Sequence, residues 1–231
     1  MLILGVETSG RSGTIVLWRD GVPLTERPLA KAGRRHAQSL VPEIVGVLKQ
    51  FDARACDCDG LAVSIGPGSF TGLRVGVVFA KTFAYATGCR LVAIDTFLGI
   101  VENSPPDVGD VFVIADAQRG DLYVGHYRRN TEGAFQPQQG IEIVDAEVWC
   151  RARSTADVVS GPGLEKCELD LANRCRILDP ACRLPKAAEI ARLGERLLEA
   201  GERTDPWSLE PLYRRKSAAE EKWDATGSCR S

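Results

Sequence analysis

The stretch that most constrains the fold of this chain is residues 61–88, where an apolar run, a glycine-rich turn and a long apolar helix follow one another. The run Leu61–Ile65 predicts a buried strand. Gly66 and Gly68 give the turn its backbone freedom, and Pro67 fixes one φ angle between them. The pattern therefore predicts a strand that passes through a tight turn directly into a helix.

The helix after this turn is apolar nearly all the way round. Ser69 is a suitable N-cap and Gly88 a suitable stop. Beside a bulky face runs a ridge of small residues at every fourth position, formed by Gly72, Gly76, Ala80 and Ala84. Such a helix is normally covered on more than one side. The residues leave two alternatives open: the ridge lies on the chain's own sheet, or it admits the helix of a partner at close distance.

The glycine turn also leaves two chemical alternatives open. Free N–H groups before a helix can bind an anion, but the turn matches neither G-x-x-x-x-G-K-[ST] nor G-x-G-x-x-G. It is then either a structural turn or part of a phosphate site together with the first turn of the chain, which places hydroxyls next to an acidic residue. The candidate nucleotide-binding residues are Glu7, Thr8, Ser9, Gly66 and Gly68.

The remaining chain is predicted to form two lobes. The element order up to Asn103 is β-β-β-α-β-α-β-α, and Ser104-Pro105-Pro106 interrupts it. We expect an N-terminal lobe over residues 1–103 and a smaller C-terminal lobe over 104–205. A tail over 206–216 is expected to pack back toward the first lobe, and 217–231 to be disordered.

Composition narrows the class of protein. The formal net charge is −2, which does not favour direct nucleic-acid binding by this chain alone. No run of eighteen apolar residues and no leader pattern is present, so we expect a cytoplasmic protein without a membrane span. The eight cysteines include no C-x-x-C pair. Scattered free thiols explain them better than a structural zinc site, and no metal is expected.

Four segments carry a resemblance to a known family. They read L-G-V-E-T-S at 4–9, I-G-P-G-S-F-T-G-L-R at 65–74, I-A-D-A at 114–117 and E-P-L-Y-R-R at 210–215. In order and spacing they resemble the TsaB family, also called YeaZ, from residue 1 to about 216. The resemblance implies an α/β fold with two lobes of the actin-like, sugar-kinase and Hsp70 type (the ASKHA fold), with a reduced second lobe.

The resemblance also implies a function. Members of the family take part in threonylcarbamoylation of the tRNA adenosine adjacent to the anticodon (t6A), as the non-catalytic dimerisation partner of the paralogue TsaD. The ATPase TsaE completes the assembly, and tRNA binds through the complex. Whether the chain alone forms a homodimer is left as an alternative. No cofactor is expected on this chain by itself, whereas the complex uses ATP and magnesium.

In the family, the pairing surface uses the helix after the glycine turn and the amphipathic helix before it, here over residues 37–51. The interface residues that the pattern predicts are Leu40, Ile44, Leu48, Gly72, Gly76, Val77, Ala80 and Ala84. The chain departs from the family at the D-A-R-x-G-E turn, where Gln118 and Asp121 replace Arg and Glu. Any role that rests on that turn is therefore in doubt.

Two other functions are weighed against the non-catalytic subunit. A small-molecule kinase or ATPase of the same fold needs phosphate-binding turns in both lobes and a carboxylate base beside a metal. A metalloprotease needs a metal triad, whereas His36 and His126 are far apart in the chain and form no H-x-x-x-H pair. No catalytic residue is predicted.

Overall fold

In the computed structural model, the chain forms two β-sheets, and the model describes residues 1–29 and 36–212. The strands are β1 (Leu2–Glu7), β2 (Thr14–Arg19), β3 (Val22–Pro28), β4 (Gly60–Ser64), β5 (Arg90–Ile94), β6 (Asp110–Gln118), β7 (Asp121–Arg129), β8 (Phe135–Pro137), β9 (Glu142–Asp145), β10 (Val158–Ser160) and β11 (Arg176–Ile177). The α-helices are α1 (His36–Gln50), α2 (Phe70–Thr87), α3 (Thr96–Val101), α4 (Ala146–Arg151), α5 (Leu164–Leu171) and α6 (Ala187–Glu199).

The first sheet has the strand order β3-β2-β1-β4-β5, with β1 in the centre. β1 runs antiparallel to β2 and parallel to β4, so the sheet is mixed. All six residues of β1 are buried, because helices cover both faces of this strand. Helices α1 and α2 lie on one face and α6 on the other, which gives the sheet two separate apolar cores.

The second sheet has the order β11-β10-β6-β7-β8, with β9 also paired to β7. Helices α4 and α5 cover one face, and α3 packs on the other. The predicted fold class is confirmed, since the chain is a mixed α/β protein with two helix-covered sheets.

Two helices pack on a different sheet from the one that the predicted lobe ranges imply. α3 falls within 1–103 but packs on the second sheet, and α6 falls within 104–205 but covers the first sheet. Apolar periodicity identifies which face of a helix is buried but not which sheet covers that face. The sequence pattern therefore could not assign α3 and α6 to their sheets. The boundaries themselves stay a prediction.

The C-terminal segment follows the first lobe as far as it is described. The Thr204 N–H donates to Leu91 O at 2.7 Å, Leu209 is buried in the core of α1 and α2, and the Leu212 N–H donates to Ile65 O at 2.8 Å. Residues 213–216 of the predicted tail and the predicted disordered segment 217–231 lie outside the described residues. No helix among the described residues is long and apolar enough to cross a membrane.

Candidate functional site

The glycine turn joins the end of β4 to α2 and fixes the start of that helix. Gly66 has φ of +114°, a value that L side chains rarely adopt. The Ser69 side chain accepts a hydrogen bond from the Gly72 N–H at 3.3 Å, so Ser69 is the N-cap. Gly88 adopts a left-handed conformation and ends α2. The predicted start and stop of the helix are both confirmed.

The small-residue ridge of α2 packs on the chain's own first turn. A Cβ atom at Gly72 would lie 2.0 Å from Thr8 O, and one at Gly76 would lie 2.3 Å from Thr8 Oγ1. A Cβ atom at Gly68 would likewise lie only 2.6 Å from Ser9 O. The glycines therefore let α2 lie directly on the turn after β1, which is the own-chain alternative.

This packing buries the residues of the predicted partner interface within the chain itself. None of the eight predicted side chains or glycines is exposed, and Leu48 at 6% has the largest exposed fraction of the apolar side chains among them; they are Leu40, Ile44, Leu48, Gly72, Gly76, Val77, Ala80 and Ala84. They fill the core between α1, α2 and the first sheet. The spacing identified the apolar faces correctly, but those faces are covered by the chain itself.

The outer faces of α1 and α2 carry a different apolar surface, which the sequence reasoning missed. It consists of Val41, Val45, Val78, Tyr85 and Trp207, here called the outer surface, whose exposed fractions run from 43% at Val45 to 75% at Tyr85 and Trp207. The Tyr85 and Trp207 rings meet edge to face with centroids 5.6 Å apart. The i, i+4 spacing of Val41 and Val45 was the available signal.

The candidate nucleotide residues come together, but they form a closed arrangement. Glu7, Thr8 and Ser9 are at most 5% exposed. The Ser69 N–H, which an anion at this turn would need, donates to Ser9 O at 2.7 Å. Gly66 is buried, and only Gly68 of the five candidates is exposed. This geometry favours a structural turn over a phosphate site.

Glu7 is the carboxylate of the first turn that the sequence offers for a nucleotide site, and no solvent reaches it. Its exposed fraction is 0%, and Oε1 accepts hydrogen bonds from the Ser9 N–H and from Ser9 Oγ. Burial raises the pKa of Glu7, and hydrogen bonds from Ser9, Ser64 and the Gly10 N–H offset only part of this effect. A group in this position binds neither substrate nor metal at the surface of the cleft.

Two ion pairs involve helix α5, one within the second lobe and one between the two lobes. Lys166 Nζ lies 2.7 Å from Asp116 Oδ2, and Arg11 in the first turn lies 3.7 Å from Glu165 on α5. Partial burial opposes ionisation of Asp116, yet Lys166 holds the pKa of this carboxyl below its usual range. The pair of Arg11 and Glu165 is the one of these two that joins the lobes, and both of its side chains are largely exposed.

The β6–β7 hairpin is where the chain departs from the family turn. Gln118 and Arg119 both adopt positive φ, at 70° and 57°, and Gly120 follows at 88°. Gln118 N–H and its side-chain amide both bond to the Asp116 carboxylate. Gln118, which replaces Arg, therefore contacts the same carboxylate that Lys166 of α5 binds.

The histidine that lies in the second lobe has a structural partner. His126 Nε2 lies 2.6 Å from Asp110 Oδ1, and its ring stacks on Phe112 with centroids 4.3 Å apart. Within residues 1–29 and 36–212, no three His, Cys, Asp or Glu side chains form a group suited to a metal ion. The side chain of His36 lies outside this description.

Comparison with known proteins places this geometry in a family. A family model described as "TsaD: tRNA N6-adenosine threonylcarbamoyltransferase" matches residues 30–139. The chain is 25% identical to the tRNA threonylcarbamoyladenosine biosynthesis protein TsaB of Escherichia coli, with 96% of this chain and 98% of that protein covered. The TsaB protein of Bacillus subtilis is 28% identical at the same coverage.

The chain belongs to the TsaB (YeaZ) family. The resemblance predicted from the four segments is confirmed, and it extends over nearly the whole length of the relatives. The fold agrees as well, since a structure of YeaZ from Pseudomonas aeruginosa superposes with a TM-score of 0.75, covering 92% of this chain and 99% of the other at 23% identity.

Proposed function

We propose that this chain is a non-catalytic subunit required for t6A formation in tRNA, and that it acts by binding a TsaD-type paralogue through the outer surface. The role in t6A biosynthesis is supported by relatives that carry this function in their names and align over nearly their whole length. The observation that carries the docking surface is the exposure of Val41 and Val45 on α1, of Val78 and Tyr85 on α2, and of Trp207 on the C-terminal segment beside α2.

The outer surface has the composition of a docking site. Aromatic residues dominate the energetics of protein interfaces, and the paired rings of Tyr85 and Trp207 project from one end of the surface. Lys81 Nζ donates to Trp207 O at 3.4 Å, which holds the C-terminal segment against α2. A specific complex on this surface buries about 1,600 Å² in total.

Burial of Glu7 argues against a kinase or ATPase of the same fold. Such an enzyme needs a carboxylate in contact with metal or substrate, whereas Glu7 has no exposed area and is held by Ser9. A supporting subunit needs no such group, because binding energy can shift its catalytic partner toward the competent state.

The test compares two arginine substitutions on the same helix. Val78 is 62% exposed, so Val78→Arg should fold normally and lose affinity for the TsaD-type subunit by roughly 30-fold or more, the loss typical of an interface hot spot. Ala80 is fully buried, so Ala80→Arg should fail to fold rather than block docking. Circular dichroism and titration calorimetry separate the two effects.

The control is Leu169→Arg, at a leucine 92% exposed on α5 and remote from the outer surface. It should bind as the unsubstituted protein does. Full binding by Val78→Arg would overturn the docking surface. Reconstitution with TsaD, TsaE, the adenylate synthase and tRNA tests the function itself, and undiminished product without this chain would overturn it.

A further inference from the structure

The carboxyl group of Glu7 lies at the carboxyl end of β1, in contact with no solvent. Its Oε1 accepts two hydrogen bonds from Ser9, one from the backbone N–H and one from Oγ at 2.5 Å. Its Oε2 is buried and has no hydrogen-bond partner among the described residues. One oxygen of the carboxyl group therefore has hydrogen-bond donors, and the other has none of full geometry.

A second unpartnered oxygen lies on the neighbouring strand. Val6 of β1 pairs in register with Val63 of β4, so Glu7 and Ser64 occupy corresponding positions on adjacent parallel strands. Side chains at corresponding positions point to the same face of a sheet. Ser64 Oγ is also buried and forms no hydrogen bond of full geometry with a described group, although its hydroxyl lowers the pKa of Glu7. Two buried oxygens at neighbouring positions can be satisfied together only if one of them donates a proton.

No charged residue stands beside Glu7 on the neighbouring strands. Its neighbours in the sheet, Thr14 on β2 and Ser64 on β4, are uncharged, and α2 meets the adjoining Thr8 with glycines. Burial raises the pKa of Glu7, whereas hydrogen bonding from Ser9, Ser64 and the Gly10 N–H lowers it without cancelling the rise. An isolated buried carboxylate costs several kcal/mol, so such groups take up a proton instead.

Two charged side chains on the segments around Glu7 have other partners, and a third can be tested by substitution. Arg11, on the turn after β1, has a side chain that is 92% exposed and faces Glu165. Glu26 on β3 accepts from the Ala188 N–H at 3.2 Å at the start of α6. Lys186, directly before α6, is half-buried. Its removal tests the alternative that Glu7 is ionised and forms an ion pair with Lys186.

We propose that Glu7 keeps its proton in the folded protein at neutral pH and donates it from Oε2 to Ser64 Oγ. The proton then ties the end of β1 to the end of β4. From Glu7 the bonds continue through Ser9, whose carbonyl accepts from the Ser69 N–H at 2.7 Å, to the N-cap of α2. The protonated carboxyl thus holds the first turn of α2 against the sheet, and this connection depends on pH. The inference is independent of the proposed function.

The sign of the pH dependence follows from linkage. Between the pKa of Glu in the unfolded chain and the raised pKa in the folded protein, the native state binds one more proton than the unfolded state. Stability is then fully present below the unfolded pKa and falls as pH rises through this window, by about tenfold in the unfolding equilibrium constant per pH unit. Glu7→Gln, a neutral isostere, should abolish this contribution.

The experiment is a carbon-13 NMR titration of protein labelled at the glutamate carboxyl carbons, with the Glu7 resonance assigned by its loss in Glu7→Gln. The expected result at pH 7 is the chemical shift of a protonated carboxyl, together with uptake of about one proton on folding that Glu7→Gln lacks. A carboxylate shift for Glu7 throughout the range from pH 5 to 9 would overturn the proposal.

Two further variants decide the direction of the hydrogen bond. In each, the titration of the Glu7 carboxyl carbon is measured directly, so the test does not depend on whether Glu7→Gln folds. If Glu7 donates to Ser64, Ser64→Ala removes the acceptor of the neutral acid and lowers the pKa of Glu7. If Ser64 donates to an ionised Glu7, the same change raises the pKa and the proposal fails. Lys186→Ala should leave the titration unmoved, whereas a rise in the pKa would reveal an ion pair and contradict the neutral acid.

Discussion

Tyr127 Oη donates a hydrogen bond of 2.6 Å to Asp95 Oδ2, and this bond connects the second sheet to the end of the first. Tyr127 lies on β7 and is 1% exposed. Asp95 follows β5 and caps α3, its Oδ1 accepting from the Phe97 N–H at 2.8 Å. One carboxylate therefore starts a helix and joins the two lobes.

Removal of this hydroxyl should loosen the junction between the lobes. Tyr127→Phe leaves the ring in place but leaves a partly buried carboxylate oxygen without its donor, so we expect a loss of about 1.5–3 kcal/mol in the free energy of unfolding. Urea denaturation followed by circular dichroism measures it. Tyr85→Phe is the control, since the Tyr85 side chain is exposed and its hydroxyl is expected to contribute little. Equal stability of the two variants would contradict a role for the bond.

The glycines of α1 and α2 should respond to alanine with opposite signs. At Gly76 a Cβ would lie 2.3 Å from the buried Thr8 Oγ1, so Gly76→Ala should cost about 1–3 kcal/mol by overpacking. At Gly46 on α1 a Cβ would meet only the end of the Arg27 side chain, at 3.3 Å. Gly46→Ala should stabilise the protein by about 0.5–1 kcal/mol, because alanine favours the helix. Thermal and urea unfolding of both variants check this, and a stable Gly76→Ala protein would contradict the packing of α2 on the first turn.

Local structure could be predicted from the sequence because its causes are local. The N-cap at Ser69 and the left-handed stop at Gly88 each depend on residues within a turn of the helix end. The partner of each apolar face could not be predicted in this way. Gly76 meets Thr8, which lies far away in the chain, and the spacing of small residues is the same whether the contact is internal or with another protein.

The same limit explains the correction at the docking surface. Leu40 and Val41 are adjacent in sequence, yet the first is 1% exposed and the second 53%. Both are apolar residues of one helix with a broad apolar stripe, and composition does not separate its covered part from its exposed part. That distinction needs the position of the sheet under α1.

The final prediction concerns Glu195, which fastens α6 to the β2–β3 hairpin. Its Oε2 accepts from Trp18 Nε1 at 2.8 Å and its Oε1 from the Gly21 N–H at 3.2 Å, while the side chain is mostly buried. Glu195→Ala leaves both donors without an acceptor and should cost about 1.5–3 kcal/mol in the free energy of unfolding. Glu195→Gln keeps one acceptor oxygen and should cost less. Glu199→Ala, at an exposed position of the same helix, should stay within about 0.5 kcal/mol of the unsubstituted protein. Urea unfolding of the three variants measures these losses. A double-mutant cycle of Trp18→Phe with Glu195→Ala measures the interaction energy between the two side chains. Additive losses in that cycle would mean that the two side chains do not stabilise one another.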